Sequence, residues 1–353
     1  MQKKPMQKKH NRRSIVQVLE KAQRYVEYRR SGVIKSLLTP WTGLNKRGIN
    51  GLEWGSILTI GARPGAGKTM MVSQLVREAR SLNPGQEFNI LELQFEMGDE
   101  QYGTRQFVGR TGTSYEKILS AYKPVDDLTV KSITDYIQEK KNLEKAGFIH
   151  EVITEHLTHT EMETAIMEAY VEYGSKPMIV TIDHSWLIKK RIEEKEKIAT
   201  IYNTTEMLMK LKNRIPVIII MITQLNRNID EASRRIPSSI ANYPTSSDIF
   251  GGDALMQGSD MVIVINRPSK SDIKSYGPYA YDCKDEDVFM HLLKVRNGKD
   301  DDNLMFLRMD GERQRLVEVP EPLAHRPEGA FVRRSERAGT TSRFVSAEIG
   351  KEL

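Results

Sequence analysis

Two hydrophobic periods alternate along this chain. Short apolar runs recur as ILTIGA, NILELQFEM, PMIVTID, PVIIIMITQ, MVIVIN and VFMHLLKV. Their length and β-branched content predict at least six strands, and the unbroken apolar stretches predict burial on both faces. Between them the spacing turns helical. TMMVSQLVREARSL places Val72, Leu75, Val76 and Ala79 on one face. DEQYGTRQFVGRTG and the segment from Ile198 to Lys212 read as further helices, with weaker helical patterns near residues 114–121 and 130–145. Strands alternating with helices predict an α/β domain, a mostly parallel sheet with helices on both faces, over residues 36–312. No internal repeat is seen.

The flanks follow other patterns. Ile15, Val18, Leu19, Ala22 and Val26 recur at helical intervals, and Arg29, Arg30, Ser31 and Gly32 end that segment. Residues 1–35 therefore read as a basic disordered arm followed by an amphipathic helix. Beyond Val317 three prolines and scattered charge replace periodicity, so residues 313–353 are expected to form a flexible tail. Residues 228–250 form a long polar loop between two buried strands, a length that points to function or to disorder.

Composition narrows the class. The 353 residues are 39% hydrophobic and 28% charged, with a net charge of +6. No apolar run reaches the length of a membrane span, and the start MQKKPMQKKHNRRS lacks the apolar core of a secretory signal. Cys283 stands alone, which excludes an internal disulfide or a multi-cysteine metal site and fits a reducing cytoplasm. Lys3, Lys4, Lys8, Lys9, Arg12 and Arg13 crowd the start without an acid. The run suits contact with nucleic acid and a solubilising tail equally well.

Candidate chemistry collects at the strand ends. Ala62-Arg63-Pro64-Gly65-Ala66-Gly67-Lys68-Thr69 has the spacing of a phosphate-binding P-loop, with a strand before it and a helix after it. Gly65 and Gly67 let backbone N–H groups turn toward phosphate oxygens. Lys68 is expected to reach the β- and γ-phosphates, and Thr69 to ligate Mg²⁺. Asp183 ends a buried strand where a carboxylate can hold Mg²⁺. Glu96, near the end of another, is placed to polarise an attacking water, and Glu92 on the same strand is a weaker candidate. Gln224 ends a third and can sense the γ-phosphate. Together they predict ATP hydrolysis, and no N-K-x-D motif argues for GTP.

These residues resemble the motor domain of the DnaB-type replicative helicases, over about Leu38 to Met309. The lead-in and P-loop GLNKRGINGLEWGSILTIGARPGAGKT, QFEM (94–97), TIDH (181–184), TQLNR (223–227) and KVRNG (294–298) carry the likeness in the family's order. The resemblance implies a RecA-like P-loop NTPase that assembles as a ring, usually a hexamer, and moves along single-stranded DNA. It implies that Glu96 is the catalytic base. It implies also that Lys294 and Arg296 enter the neighbouring subunit's ATP site. Two residues apart on a strand, both point to one side of it. Primase and a helicase loader are the implied partners, and the bacterial or phage-infected cytoplasm the implied setting.

Two departures stand out. Only the helix near 14–30 precedes the motor, where the family has a large helical collar. A collar-free form suits a phage replication system, and in the family a linker helix docks on the adjacent subunit. The DNA-facing loop also differs. Asp248-Ile249-Phe250-Gly251-Gly252-Asp253 has Phe250 and Gly251 where the family has Arg and Glu. Backbone amides near Gly251 and Gly252 are expected to hold a DNA phosphate, Phe250 to touch a sugar or base, and Arg227, Arg234 and Arg235 to supply the missing charge. A recombinase or annealing ATPase that does not unwind, and an assembly ATPase that binds no DNA, are the competing readings.

Overall fold

The computed structural model describes residues 12–298 and 303–322. The earlier part of the basic arm and most of the expected tail lie outside these residues. The chain falls into two compact units that part between Ser36 and Leu37.

The first unit is dominated by one helix, α1 (Ile15–Arg30). Ser14 and Gln17 form a reciprocal capping box at its start, which satisfies two otherwise unpaired N–H groups. Its side chains Ile15, Val18, Leu19 and Val26 are exposed.

In the second unit, α2 (Thr42–Arg47) precedes β1 (Ser56–Ala62), α3 (Lys68–Leu82) and β2 (Asn89–Gln94). Three helices follow, α4 (Asp99–Thr111), α5 (Tyr115–Leu119) and α6 (Asp127–Lys145). Then come β3 (His150–Ile153), α7 (His159–Glu172), β4 (Met178–Asp183), α8 (Lys197–Lys212) and β5 (Val217–Gln224). After a loop of short 3-10 turns come α9 (Gly252–Gly258), β6 (Met261–Asn266) and a two-stranded hairpin, β7 (Ser275–Tyr276) with β8 (Tyr281–Asp282). The last elements among the described residues are β9 (Asp287–Val295), β10 (Leu304–Asp310) and β11 (Arg315–Glu318).

One sheet of nine strands has the order β11-β10-β9-β6-β1-β5-β4-β2-β3. Strands β6, β1, β5, β4, β2 and β3 run parallel, and β9, β10 and β11 form an antiparallel flank. All six expected strands are present. The sheet extends to Glu318, past the expected domain boundary at residue 312, because β11 pairs with β10.

Side-chain alternation on the central strands builds two cores. Ile218, Ile220 and Ile222 of β5 join Leu58 and Ile60 beneath α3, which contributes Met71, Val72, Leu75, Val76 and Ala79. Val217, Ile219 and Met221 point to the other face, against Ile166 of α7, Leu208 and Leu211 of α8 and Leu255 of α9. This is why these strands read as unbroken apolar runs: each residue has a buried partner on one face or the other. Each such fully buried side chain contributes about 1.5–3 kcal/mol. Every parallel strand ends at the same sheet edge, where ligands of open α/β sheets bind.

Candidate nucleotide site

The P-loop bridges β1 and α3. Gly65 has φ +76° and Gly67 φ +101°, values that favour glycine, and a Cβ on Gly67 would come within 2.9 Å of Met309 Cε. Lys68 begins α3 and is buried. Burial lowers its pKa, Asp183 and Glu96 raise it again, and Arg63 adds to the lowering.

Asp183 is the most telling residue. It is fully buried at the end of β4. Its Oδ2 accepts a 3.1 Å hydrogen bond from Thr69 Oγ1, and its Oδ1 has no hydrogen-bond partner. Burial and the Glu96 carboxylate push its pKa up to about 6, while Thr69 and Lys68 oppose them. A dry carboxylate with one free oxygen beside a threonine hydroxyl suits a divalent cation, because the cation supplies what the pocket withholds. These residues therefore fit Mg²⁺.

Glu96 lies two residues beyond β2 and is exposed into a cavity of about 450 Å³ that Pro64, Gly65, Gly67, Lys68, Thr69 and Gln224 also line. The strand ends are tied together, since Phe95 N donates to Asp183 O at 2.7 Å. Glu92, by contrast, is fully buried. It accepts from Tyr102 Oη and lies 2.7 Å from His150 Nε2, inside the fold.

The same cavity is lined by Gln101 and Arg105 of α4, Tyr115 of α5, and Met309 and Gln314 of the β10–β11 hairpin. Sequence reading missed all of these. Gln101 and Arg105, four apart, look like any solvated helix face. The usable signal is position: α4 starts three residues after Glu96, so its first turns lie over the pocket.

Other expected residues land elsewhere. Ala62 and Ala66 are buried in the core and do not line the cavity. The Arg63 side chain turns from the phosphate loop to pair with Asp230 at 2.6 Å and to donate to Leu225 O. Lys294 and Arg296 cannot reach their own P-loop. Val295 pairs with Met261, which pairs with Leu58, four positions before Ala62. That is about 13 Å along the strand and two strand spacings sideways. Both side chains donate to Gln257 O, and Arg296, one residue past β9, pairs with Asp260 at 3.0 Å.

The loop after β5 corrects one expectation. Arg234 is taken up inside it. Its guanidinium donates to both oxygens of Asp248 and to the carbonyls of Ala241 and Tyr243, which makes it a strut of the loop. Part of the expected amide cradle is taken up within the fold: Phe250 N donates to Gln224 O and Gly252 N to Ile249 O. The two glycines have a packing reason, because a Cβ on Gly251 would meet Ile201 at 2.9 Å and one on Gly252 would meet Ser246 O at 2.6 Å. Arg227 and Arg235 are exposed, and neither has an ion pair among the described residues.

Comparison with known proteins bears on the family and the fold. Residues 37–312 match the DnaB-like helicase C terminal domain. The replicative DNA helicase DnaB of Helicobacter pylori strain J99 is 24% identical over 307 residues, covering 86% of this chain and 57% of that protein. DnaB of Haemophilus influenzae is 23% identical over 237 residues, covering 66% of this chain and 47% of its own length. The chain thus spans about half the length of the curated relatives it matches. Among solved structures, the ATPase domain of G40P superposes with a TM-score of 0.70 at 19% identity, covering 88% of this chain and 100% of that one. A DnaB-like replicative helicase studied with primase superposes with a TM-score of 0.68 at 19% identity, covering 88% of this chain and 68% of that one. The fold is RecA-like, and the chain belongs to the family of DnaB-like helicase C-terminal domains.

Proposed function

We propose that this chain is the ATP-hydrolysing motor of a ring-forming replicative DNA helicase, which couples hydrolysis to movement along single-stranded DNA and to duplex unwinding. The observation that carries the reading is the Thr69–Asp183 pair, with its unpartnered buried oxygen, in the electrostatic reach of Lys68 and Glu96.

Each residue has a defined task. Gly65 and Gly67 bring backbone N–H groups to the phosphates of ATP, and Lys68 neutralises their charge. Thr69 and Asp183 would hold Mg²⁺, which when bound draws charge from the phosphate oxygens. Glu96 accepts the proton of the attacking water. Gln224 stands at the γ-phosphate side of the cavity. A further cation that stabilises the transition state comes from Lys294 and Arg296 of a neighbour, since neither reaches its own P-loop. Such a finger is worth roughly 10³- to 10⁵-fold in rate.

The exposed apolar side chains of α1 serve as its docking face on an adjacent subunit, and a hexamer is the proposed assembly. Primase or a loader is the proposed further partner, in a bacterial or phage-infected cytoplasm. No helix among the described residues is long and apolar enough to cross a membrane.

The test is ATPase activity across protein concentration, with and without single-stranded DNA. Activity per chain rises with concentration and with DNA if neighbours complete the site. Activity per chain that stays constant at every concentration contradicts the shared site. Hydrolysis with DNA binding but no unwinding would favour the annealing ATPase, a reading that the altered loop at Phe250 supports.

A further inference from the structure

Next to the nucleotide cavity lies a cleft of about 220 Å³, lined by Arg63, His184, Trp186, Gln224, Arg227 and Phe250 among others. Trp186 sits in the 3-10 turn Ser185–Leu187 directly after β4. The turn is held by the His184 ring, whose Nδ1 accepts from Trp186 N at 3.1 Å. Trp41 is fully buried and Trp54 partly so, yet Trp186 is 47% exposed. Leaving much of an indole in water forgoes part of the roughly 1.5–3 kcal/mol that burial of a large apolar side chain supplies. Here the ring is held in place without being covered.

Its neighbour is Phe250. The ring centroids are 4.7 Å apart at 80°, so the rings meet edge to face and leave open aromatic surface. Phe250 is fixed by its own backbone, since its N–H donates to Gln224 O at 3.1 Å. Cations flank the pair. Lys197 Nζ lies 5.9 Å from the indole centroid, and the exposed Arg227 lines the same cleft. Arg63 is already neutralised by Asp230. With the Phe250 and Gly252 amides bonded internally, the cleft itself presents aromatic faces and side-chain cations. Exposed aromatic faces beside cations are the means by which proteins hold single-stranded nucleic acid without reading its sequence.

We infer that Trp186 and Phe250 form a platform on which a base of single-stranded DNA stacks, with Arg227 meeting a neighbouring phosphate. The inference rests on the reading of the chain as a DNA motor and deepens it. It makes contact with the bases, and not only with the backbone, part of the grip.

The experiment measures binding of the full chain to two labelled oligonucleotides of equal length, an oligothymidylate and one whose central residues are abasic, over a range of salt. The parent binds the oligothymidylate more tightly. Trp186→Ala and Phe250→Ala each weaken that binding roughly 5- to 150-fold. Neither changes binding to the abasic strand or the salt slope, and Trp186→Phe recovers most of the affinity. Arg227→Ala weakens both strands alike and reduces the slope by about 0.7. The platform is overturned if Trp186→Ala binds oligothymidylate as the parent does, or loses both strands equally. A parent that binds neither strand, with or without an ATP analogue, overturns the motor reading and the platform together.

Discussion

Replacing Arg234 with alanine separates a strut from a DNA contact. Its Nη1 and Nη2 donate to the two Asp248 oxygens at 3.0 and 2.8 Å, and Nη2 also donates to Tyr243 O at 2.9 Å. The side chains are 18% and 3% exposed. Asp248 is further held by Thr245 N at 2.7 Å and Thr245 Oγ1 at 3.0 Å. Burial alone would raise the Asp248 pKa, but the bonds from Arg234 and Thr245 outweigh it and bring it below the ordinary 3.8. Removing one partner of a buried ion pair costs about 3–5 kcal/mol. Arg234 keeps some solvent access, so the lower end, about 3 kcal/mol, applies. A domain stable by about 5–15 kcal/mol survives such a loss, so the loop opens locally. Hydrogen exchange is the assay. Protection of the Asn226 and Phe250 amides is expected to fall about 100-fold, while that of β1 and β5 holds. Because the Asp248 pKa is depressed, the pair's contribution is present above the unfolded value and fades as pH drops through the folded one. Affinity for single strands falls with an unchanged salt slope. Unaltered exchange, together with a slope smaller by about 0.7, would refute this and make Arg234 a phosphate contact.

Three further outcomes follow from the same geometry. Glu96→Gln keeps nucleotide binding and slows hydrolysis roughly 10²- to 10⁴-fold, read by filter binding beside ATPase assays; equal loss of both would remove Glu96 from the proton transfer. Arg296→Ala chains mixed into the parent depress activity by more than dilution, because each one silences a neighbour; a strictly linear response would place the residue outside the site. His291 is buried against Tyr276, and burial pushes its pKa down to about 3. The neutral ring is favoured in the folded chain, so stability present above pH 6.5 is lost on acidification, by about 2 kcal/mol at pH 5. Denaturant midpoints at pH 7 and pH 5 check it: the parent loses about that much more than His291→Gln, and an equal loss would show that the ring titrates freely. Asp183, raised to about 6, acts in the opposite sense in both chains.

What could be read from the sequence tracks burial. The runs that became β4, β5 and β6 were legible because residues on both faces must be apolar. β3, β10 and β11 escaped notice. β3 and β11 have four residues each, and HEVI at the sheet edge mixes polar and apolar positions with no period to detect. The gathering of strand ends was legible because Lys68, Thr69, Glu96, Asp183 and Gln224 each follow an apolar run, and parallel strands bring such ends to one edge. Residues that act through partners distant in sequence were not. Arg234 finds Asp248 fourteen positions later, with no pattern linking them. Trp186 sits just past a strand end, yet nothing in its neighbours announces that its ring stays exposed beside Phe250.

The central claim, that this site drives strand separation, is tested most directly by unwinding of a forked duplex with ATP and Mg²⁺, parent against Lys68→Ala. The account predicts that the parent separates the strands and that Lys68→Ala, still folded, does not. Equal unwinding by the two, or a parent that hydrolyses ATP on single-stranded DNA yet leaves every fork intact, would contradict it.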